Sequence, residues 1–337
     1  MTADSIPVRA QAQQLVQRWG WNATSFQTLS SGFEYWLGDA GCVAYVELDS
    51  AWVGAGAPLG ETANLRSLSH EFVRAAARRG KRACFFGVEQ RFLRESGLRS
   101  FLLGEQPVYD PRRWRGHLKA SRSLREQLRR ARAKGVSVKP SEGEADVPEL
   151  RELHRTWLAQ RPLASMGFLT GLDPFTWRHE RRYFVARSRD GSALAFAALS
   201  PVYARGGWLF EHLVRAPKAP NGTIELLVDA AMNELGDDGV GWATLGLAPL
   251  SGDVPLALKL VRRCAGPLYN FEGLRAFKAK LGPIAWDSVH LAYPSTQGAC
   301  SSLCDGLSAF AGGRPLEFAT QSLSKKLSSL PHALIGA

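Results

Sequence analysis

Short apolar runs alternate with longer amphipathic segments along most of this chain. The runs CVAYVEL, ACFFGV and ALAFAALSPV have the length and the apolar content of buried strands. Residues 64–79 instead carry apolar side chains at helical spacing, and Gly80 follows them as a stop signal. Strands that alternate with helices in this way predict an α/β (α+β) fold.

The chain has 337 residues, a length that suits about two domains. The segment PSEGEADVPEL combines proline, glycine, serine and acids at residues 140–150 and predicts the boundary. We therefore expect one domain over residues 1–140 and a second over residues 141–337. In the second half the pattern predicts helices over residues 148–160, 223–235, 254–264 and 273–280, with strands at YFVARS, GWLFEHLV, WATLGL and SVHLAY.

Composition excludes several classes of protein. Hydrophobic residues make up 45% and charged residues 22%, which is typical of a globular chain rather than a disordered one. The sequence has no apolar run of about 18 residues and no signal-peptide pattern at its start, so we expect a cytoplasmic location. The five cysteines are scattered, and the close pair Cys300 and Cys304 lacks a second half-site, so no metal is expected.

Positive charge is concentrated in one segment. Between Arg112 and Lys134 there are ten basic residues against one acid, Glu126, while the whole chain carries a net charge of +11. The spacing predicts a helix over residues 116–134, with Leu124, Leu128 and Ala131 on its buried face. Arginine binds phosphate through two parallel hydrogen bonds, which favours a phosphate-bearing partner over a merely solvated face. The candidate phosphate-binding residues are Lys119, Arg122, Arg125, Arg129 and Arg132.

The segment GWLFEHLVRAPKAPNGTIELLVDAAMNEL predicts a strand, a loop and a helix whose N-cap is Asn221 or Thr223. Free backbone N–H groups at such a helix start bind an anion or a carbonyl oxygen. Glu225 lies in the first helical turn, where it also suits the helix dipole without any further role. His212 lies in the strand, as a structural residue or as a base, because imidazole titrates near neutral pH.

Two later segments add candidates. WATLGLAPLSGD runs from a strand into a loop that carries the Ser251 hydroxyl. YNFEGLRAFKAKLGP interleaves basic residues with aromatic ones, a composition that suits a nucleotide or phosphate. The alternative is an amphipathic helix with solvated charges. The candidates here are Tyr269, Arg275 and Lys278.

The motifs APNGTIELL, TLGLAPLSG, FEGLRAFKAKLGP and HLAYP resemble the catalytic region of the aminoacyl-phosphatidylglycerol synthases, the lysyl- and alanyl-transferases of bacterial membranes. The resemblance is dense over residues 207–294 and thinner over residues 33–136. Two features depart from the family. Its large N-terminal multi-helix membrane domain is not part of this sequence, which leaves the lipid acceptor open. The usual aspartate of the NGT motif is Glu225 here.

The resemblance implies tandem GNAT-like domains, with mixed central sheets flanked by helices, that take an amino acid from aminoacyl-tRNA. An acceptor hydroxyl, that of phosphatidylglycerol in the family, attacks the ester carbonyl. The basic helix would hold tRNA. Transfer between an ester and an alcohol is nearly isoenergetic, so no cofactor is expected. The catalytic candidates are Glu225, His212 and Ser251, and the substrate-binding candidates are Arg215, Asn221, Gly222, Thr223, Tyr269, Arg275 and Lys278.

Several alternatives stay open at this point. The acceptor could be a soluble small molecule instead of a lipid, and the basic helix could touch an anionic membrane peripherally at the inner face as well as tRNA. A GNAT-type enzyme that uses acyl-CoA is disfavoured, since the pyrophosphate-binding pattern [QR]-x-x-G-x-[GA] is missing. A non-enzymatic RNA- or membrane-binding protein would leave the four motifs unexplained.

Overall fold

The computed structural model describes residues 7–141, 143–161, 167–170, 172–255, 258–259, 263 and 270–314. The helices are α1 (Val8–Trp19), α2 (Leu65–Arg78), α3 (Gln90–Ser96), α4 (Trp114–Ala120), α5 (Arg122–Ala133), α6 (Val147–Ala159), α7 (Thr223–Asp237), α8 (Phe271–Lys280) and α9 (Ala299–Phe310).

The strands are β1 (Glu34–Gly38), β2 (Gly41–Glu47), β3 (Ala51–Ala55), β4 (Leu59–Gly60), β5 (Arg82–Glu89), β6 (Arg99–Tyr109), β7 (Ser137–Pro140), β8 (Arg182–Arg187), β9 (Ala193–Val202), β10 (Gly207–Arg215), β11 (Ala243–Thr244), β12 (Ala248–Pro249) and β13 (Ala285–Tyr293). They join in one mixed sheet of order β1-β2-β3-β5-β13-β6-β11-β10-β9-β8-β7, with β4 beside β2 and β12 beside β6. The predicted α/β fold, a mixed sheet flanked by helices, is confirmed.

Strand β13 connects the two halves of the chain. It comes late in the sequence, yet it lies between β5 and β6 and is antiparallel to both. Only the β3–β5 and β10–β11 pairs among the described strands are parallel. The sheet passes from the first half of the chain into the second where β6 pairs with β11.

Helices α6 and α7 cover opposite faces of the sheet. Arg182 at the start of β8 pairs with Glu234 of α7 at 3.6 Å. The next residue, Tyr183, stacks on Phe175, which contacts Phe196, and Phe196 contacts His154 of α6. Because successive side chains of a strand point to opposite faces, these contacts define an α7 face and an α6 face.

Most of the predicted elements are confirmed, but two are not as expected. The basic helix is two helices, α4 and α5, because Ser121 between them is extended (φ −90°, ψ 93°). The strand expected at WATLGL shrinks to the two residues of β11, where pairing with β10 stops. The helix expected over residues 254–264 lies largely outside the described residues.

Helix α5 packs on the second half of the chain. Its buried residues Leu124, Leu128 and Ala131 join the same hydrophobic core as α7, β9 and β10, as the amphipathic spacing predicts. The division of the chain at residue 140 stays a prediction. In the described part of the chain, every helix is too short or too polar to cross a bilayer.

Candidate active site

A cavity of about 1120 Å³ lies where β10 and β11 part. The two strands pair only as far as Leu209 and Thr244, and beyond that point the chain at residues 245–247 leaves the ladder. The backbone carbonyls of Gly246 and Leu247 consequently have no strand partner, and Lys278 Nζ donates to them at 2.8 and 2.9 Å. This split opens the sheet, so the cavity can be lined from both faces.

On the α7 face, the lining comes from the end of β10, the start of α7, helix α8 and helix α5. The predicted site residues found here are Arg215, Asn221, Gly222, Glu225 and Lys278. Gln127 and Arg130 of the basic helix α5 line the same wall. The structure therefore joins the two segments that the sequence singled out.

On the α6 face, the lining comes from α6, from residues 23–27 and from strands β5 and β6. His212 lies here beside His154, with ring centroids 5.9 Å apart, and Trp157 stacks on His154. Burial and the neighbouring His212 lower the pKa of His154 to about 4, so His154 is neutral near pH 7. The cavity lining also includes three apolar side chains, Leu158, Leu169 and Leu172.

Lys278 is a buried amine. It is 5% exposed, and burial lowers the pKa of its ammonium to about 7. A group whose pKa is close to the working pH can both hold and release a proton during a reaction. From the sequence alone Lys278 is a substrate-binding candidate and no more, since its burial depends on the carbonyls freed by the strand split.

A buried ion pair supports His212. The side chains of Arg181 and Glu211 are 0% and 2% exposed and lie 2.5 Å apart. Glu211 Oε1 is 3.3 Å from His212 Nε2, and Arg181 and His212 together hold the pKa of this carboxyl well below its usual range despite burial. A register shift between Phe210 and His212 marks a bulge in β10. A bulge changes the direction in which side chains point, and at this one the Glu211 carboxylate lies beside the His212 imidazole.

The start of α7 differs from the predicted cap. Gly222 occupies the N-cap position at φ +93°, and no side chain caps the helix. The Thr223 hydroxyl donates instead to Pro220 O at 2.7 Å, and Thr223 is fully buried. A Cβ at Gly222 would lie 2.6 Å from Gln127 O, so the left-handed glycine also permits the close approach of α5. Capping by Asn221 or Thr223 is therefore a wrong prediction.

Glu225 has a partner that the sequence analysis did not assign. Its Oε1 accepts a hydrogen bond from Lys280 Nζ at 2.6 Å, and the residue is 9% exposed. This ion pair links α7 to α8, and its glutamate lines the cavity.

Three of the predicted site residues that the structure describes do not line the cavity: Ser251, Arg275 and the buried Thr223. Ser251 is buried in its loop, where its hydroxyl donates to Ala248 O and accepts from Glu105 N at 2.7 and 3.1 Å. Arg275 pairs with Glu105 at 3.1 Å and covers the Trp286 ring. Tyr269 lies outside the described residues.

The five predicted tRNA contacts are all exposed, but they do not form one free face. Arg132 pairs with the buried Asp229 at 2.9 Å, and Arg129 pairs with Glu126 at 2.7 Å. Arg125 bonds backbone carbonyls of α4, and Lys119 belongs to α4 because of the break at Ser121. Arg122 begins α5, close to the break.

The described residues contain no cluster of three or more side chains suited to a metal ion. Cys42 and Cys84 are buried free thiols, and Cys300 and Cys304 are exposed on α9.

The cavity also includes residues that the sequence analysis missed. They share a wall with His212 but are distant from it in sequence, and no short-range pattern marks them. They are Thr24, Glu89, Gln106, His154 and Trp157.

Comparison with known proteins gives one consistent family. The family described as phosphatidylglycerol lysyltransferase, C-terminal, matches residues 13–293. The phosphatidylglycerol lysyltransferase of Bacillus subtilis is 24% identical over 71% of this chain, and that of Staphylococcus epidermidis is 24% identical over 83%. These alignments cover 29% and 35% of the relatives, so this chain spans about a third of their length.

Solved structures share the fold. A C-terminal domain from Agrobacterium fabrum, assigned as a lysylphosphatidylglycerol synthetase, is 26% identical with a TM-score of 0.77, covering 90% of this chain and 97% of that one. The L-PGS of Bacillus licheniformis is 23% identical with a TM-score of 0.76, covering 90% and 96%. Since the family match extends over most of its length, the chain belongs to the phosphatidylglycerol lysyltransferase C-terminal domain family.

Proposed function

We propose that this chain transfers an aminoacyl group, lysyl by analogy with its relatives, from aminoacyl-tRNA to a hydroxyl of phosphatidylglycerol. The observation that supports this most is the two-sided cavity. A histidine backed by a carboxylate lies on the α6 face, and a buried lysine and a helix N-terminus lie on the α7 face. Two substrates can thus meet from opposite faces of the sheet without exchanging places.

The α7 face suits the donor. The exposed arginines of α5 lie beside the start of α7, and Arg130 and Gln127 reach the cavity wall. Arginines bind the phosphates of RNA, and the N–H groups at the start of α7 suit a phosphate or the ester oxygen. Glu225 lines this wall, and its carboxylate, which Lys280 holds at Oε1, can accept a hydrogen bond from the aminoacyl ammonium at its other oxygen.

The α6 face suits the acceptor. In the proposed reaction His212 takes the proton from the acceptor hydroxyl as its oxygen bonds to the ester carbonyl carbon. Glu211 stabilises the imidazolium that forms. The bond from that carbon to the terminal ribose oxygen of the tRNA then breaks, and this oxygen takes a proton from the Lys278 ammonium. Proton exchange with solvent restores both side chains.

The direct test supplies the purified chain with tRNA carrying radiolabelled lysine and with vesicles that contain phosphatidylglycerol. We expect enzyme-dependent movement of label from tRNA into the organic phase. Label in a small aqueous product when a metabolite extract is added would replace the lipid by a soluble acceptor. Label that stays on tRNA with every amino acid and acceptor tried would overturn the proposal.

A charge-reversal pair checks the donor surface in the same assay. Arg122→Glu with Arg129→Glu should weaken tRNA binding and lower the dependence of log K on log salt by about one unit for each phosphate that the variant no longer neutralises. The matched control reverses Arg74 and Arg78, which are exposed on α2 away from the cavity. An equal loss of tRNA affinity in both double variants would show that tRNA binding depends only on net charge and would contradict a donor surface on α5.

The pH dependence of transfer should report Lys278. Because the pKa of this ammonium is lowered to about 7, its protonated fraction falls as the pH rises through 7. We expect kcat/KM to fall above that pH in the wild type. In Lys278→Met this alkaline limb of the pH profile should vanish. An unchanged limb in that variant would exclude Lys278 as the proton donor. Lys81→Arg, which keeps the charge that faces Glu47 outside the cavity, serves as the control.

The same pKa shift has a defined effect on stability. The unfolded chain keeps the lysine proton up to about pH 10.5, whereas the folded chain releases it near 7. Between these values the unfolded state binds more protons, so this residue makes the free energy of unfolding rise with pH.

A further inference from the structure

The α6 face of the cavity contains polar groups that the proposed proton transfers do not use. Thr24, Glu89 and Gln106, here called the polar pocket, all line the cavity. Glu89 and Gln106 are 5% and 3% exposed. Buried polar groups are expensive to keep unless they meet a partner, so this pocket needs an explanation.

The charge of the polar pocket is already neutralised. The Glu89 carboxylate forms an ion pair with Arg205, and its Oε1 accepts a weak hydrogen bond from Asn22 Nδ2 at 3.4 Å. Burial raises the pKa of Glu89, and Arg205 opposes that rise. A carboxylate that is matched in this way offers little net attraction to a cationic ligand.

The Arg205 side chain is held firmly. Its guanidinium lies between the rings of Trp21 and Trp242, 4.6 and 4.4 Å from their centroids, and it also faces Asp287 at 3.4 Å. Stacked guanidinium groups of this kind lose little freedom on binding. Arg205 is therefore a positioning residue that fixes the Glu89 carboxylate.

Two groups of the polar pocket have no hydrogen-bond partner among the described residues: Gln106 Nε2 and Thr24 Oγ1. The Gln106 amide lies close enough to Glu89 to help lower the pKa of that carboxyl, but its geometry is not that of a hydrogen bond. The pocket thus offers an amide donor, a hydroxyl that can donate or accept, and a neutralised carboxylate acceptor. A hydroxyl group, which both donates and accepts, complements this set.

We propose that the polar pocket binds a second hydroxyl of the acceptor, so that the enzyme selects a terminal diol over a single alcohol. This inference rests on the proposed function, since it takes the α6 face as the acceptor side. Gln106 and Thr24 are its specificity-determining residues, while His212 faces the hydroxyl that reacts.

The spacing of the strands agrees with this assignment. β6, which carries Gln106, and β10, which carries His212, are two strand positions apart in the sheet, or about 10 Å. The glutamine and imidazole side chains extend from either side of the split. Both side chains line the cavity, so an acceptor group held between these strands can contact both of them.

The test compares two acceptors that differ in one hydroxyl. Vesicles contain either phosphatidylglycerol or phosphatidyl-1,3-propanediol, which keeps the three-carbon headgroup and its terminal hydroxyl but lacks the neighbouring hydroxyl. For the wild type we expect kcat/KM to favour the diol by about 10- to 100-fold, because the single alcohol leaves buried donors unpaired. In Gln106→Leu and in the isosteric Thr24→Val this ratio should fall to within about 3-fold of unity. Gln90→Leu, an exposed glutamine outside the cavity, is the matched control and should keep the ratio.

A binding experiment tests the polar pocket independently of the transfer reaction. Glycerol 3-phosphate and 3-hydroxypropyl phosphate, which lacks only the middle hydroxyl, are titrated against the wild type and Gln106→Leu, and the affinity ratio is measured without any tRNA. If transfer fails with every acceptor but the diol ester still binds about 10-fold more tightly in a Gln106-dependent way, the inference stands and the transfer reaction does not. Equal affinities in the wild type, or variants that alter amino-acid choice while keeping the diol ratio, would overturn it.

Discussion

Arg181→Met is expected to lower the free energy of unfolding by about 3–5 kcal/mol, since it leaves the buried Glu211 carboxylate without its cation. Neither side chain of this pair has meaningful contact with water, so solvent cannot replace the missing partner. Equilibrium unfolding in urea at neutral pH measures the change. A loss below about 1 kcal/mol would contradict the description of Arg181 and Glu211 as a coupled buried pair.

Two controls separate this effect from a general response to losing an arginine. Arg155→Met removes an ion pair with Glu152 that is open to solvent, so it should leave the free energy of unfolding nearly unchanged. The double variant Arg181→Met/Glu211→Leu should recover much of the loss, because no buried charge remains. The difference in free energy of unfolding between the wild type and Arg181→Met should also shrink as the pH falls below about 4.3, the ordinary pKa of glutamate. Below that pH the wild type begins to lose the stability that the lowered pKa of Glu211 supplies.

His212→Gln is expected to lower kcat for transfer by about 10²- to 10⁴-fold, the usual contribution of a general base. Glutamine keeps a polar side chain of similar size but cannot take the proton of the acceptor hydroxyl. Single-turnover transfer from labelled tRNA measures the loss, and tRNA affinity should stay within about 2-fold because His212 lies on the α6 face.

His179→Gln provides the comparison for that experiment. His179 is exposed beside Glu180 and does not line the cavity, so its replacement should leave the rate unchanged. If His212→Gln retained more than about a third of the wild-type rate, the role of base would pass to another group in the cavity.

Periodic elements were predictable from sequence because their burial repeats at short range. Helix α2 and the start of α7 agree with the predicted bounds, and Leu124, Leu128 and Ala131 form the buried stripe of α5 as expected. Helix α1 was missed because only Ala12 and Val16 of its residues are buried, too few to give a clear stripe. The break at Ser121 depends on backbone geometry that the charge pattern hides.

The candidate site was only half predictable. Half of the α7 face comes from one continuous segment, residues 213–225, and the sequence also singled out the helices α5 and α8 that complete this face. The α6 face combines residues from β5, β6, α6 and β10, which only the sheet order brings close. The contact of Glu211 with His212 depends on a bulge, and the Ser251 hydroxyl is held by hydrogen bonds to Ala248 and to Glu105 of β6. Single residues of this kind carry no periodic signal.

The placement of β13 between β5 and β6 has a consequence for the order of events during synthesis. A nascent chain that has reached residue 140 has made both neighbours but lacks the strand that joins them, since β13 lies at Ala285–Tyr293. Its pairing with β6 spans some 180 residues, which gives a high contact order and slow closure. Two unpaired strand edges therefore stay open on the ribosome until the last strand arrives, and a fragment ending near residue 140 should aggregate through them rather than fold on its own.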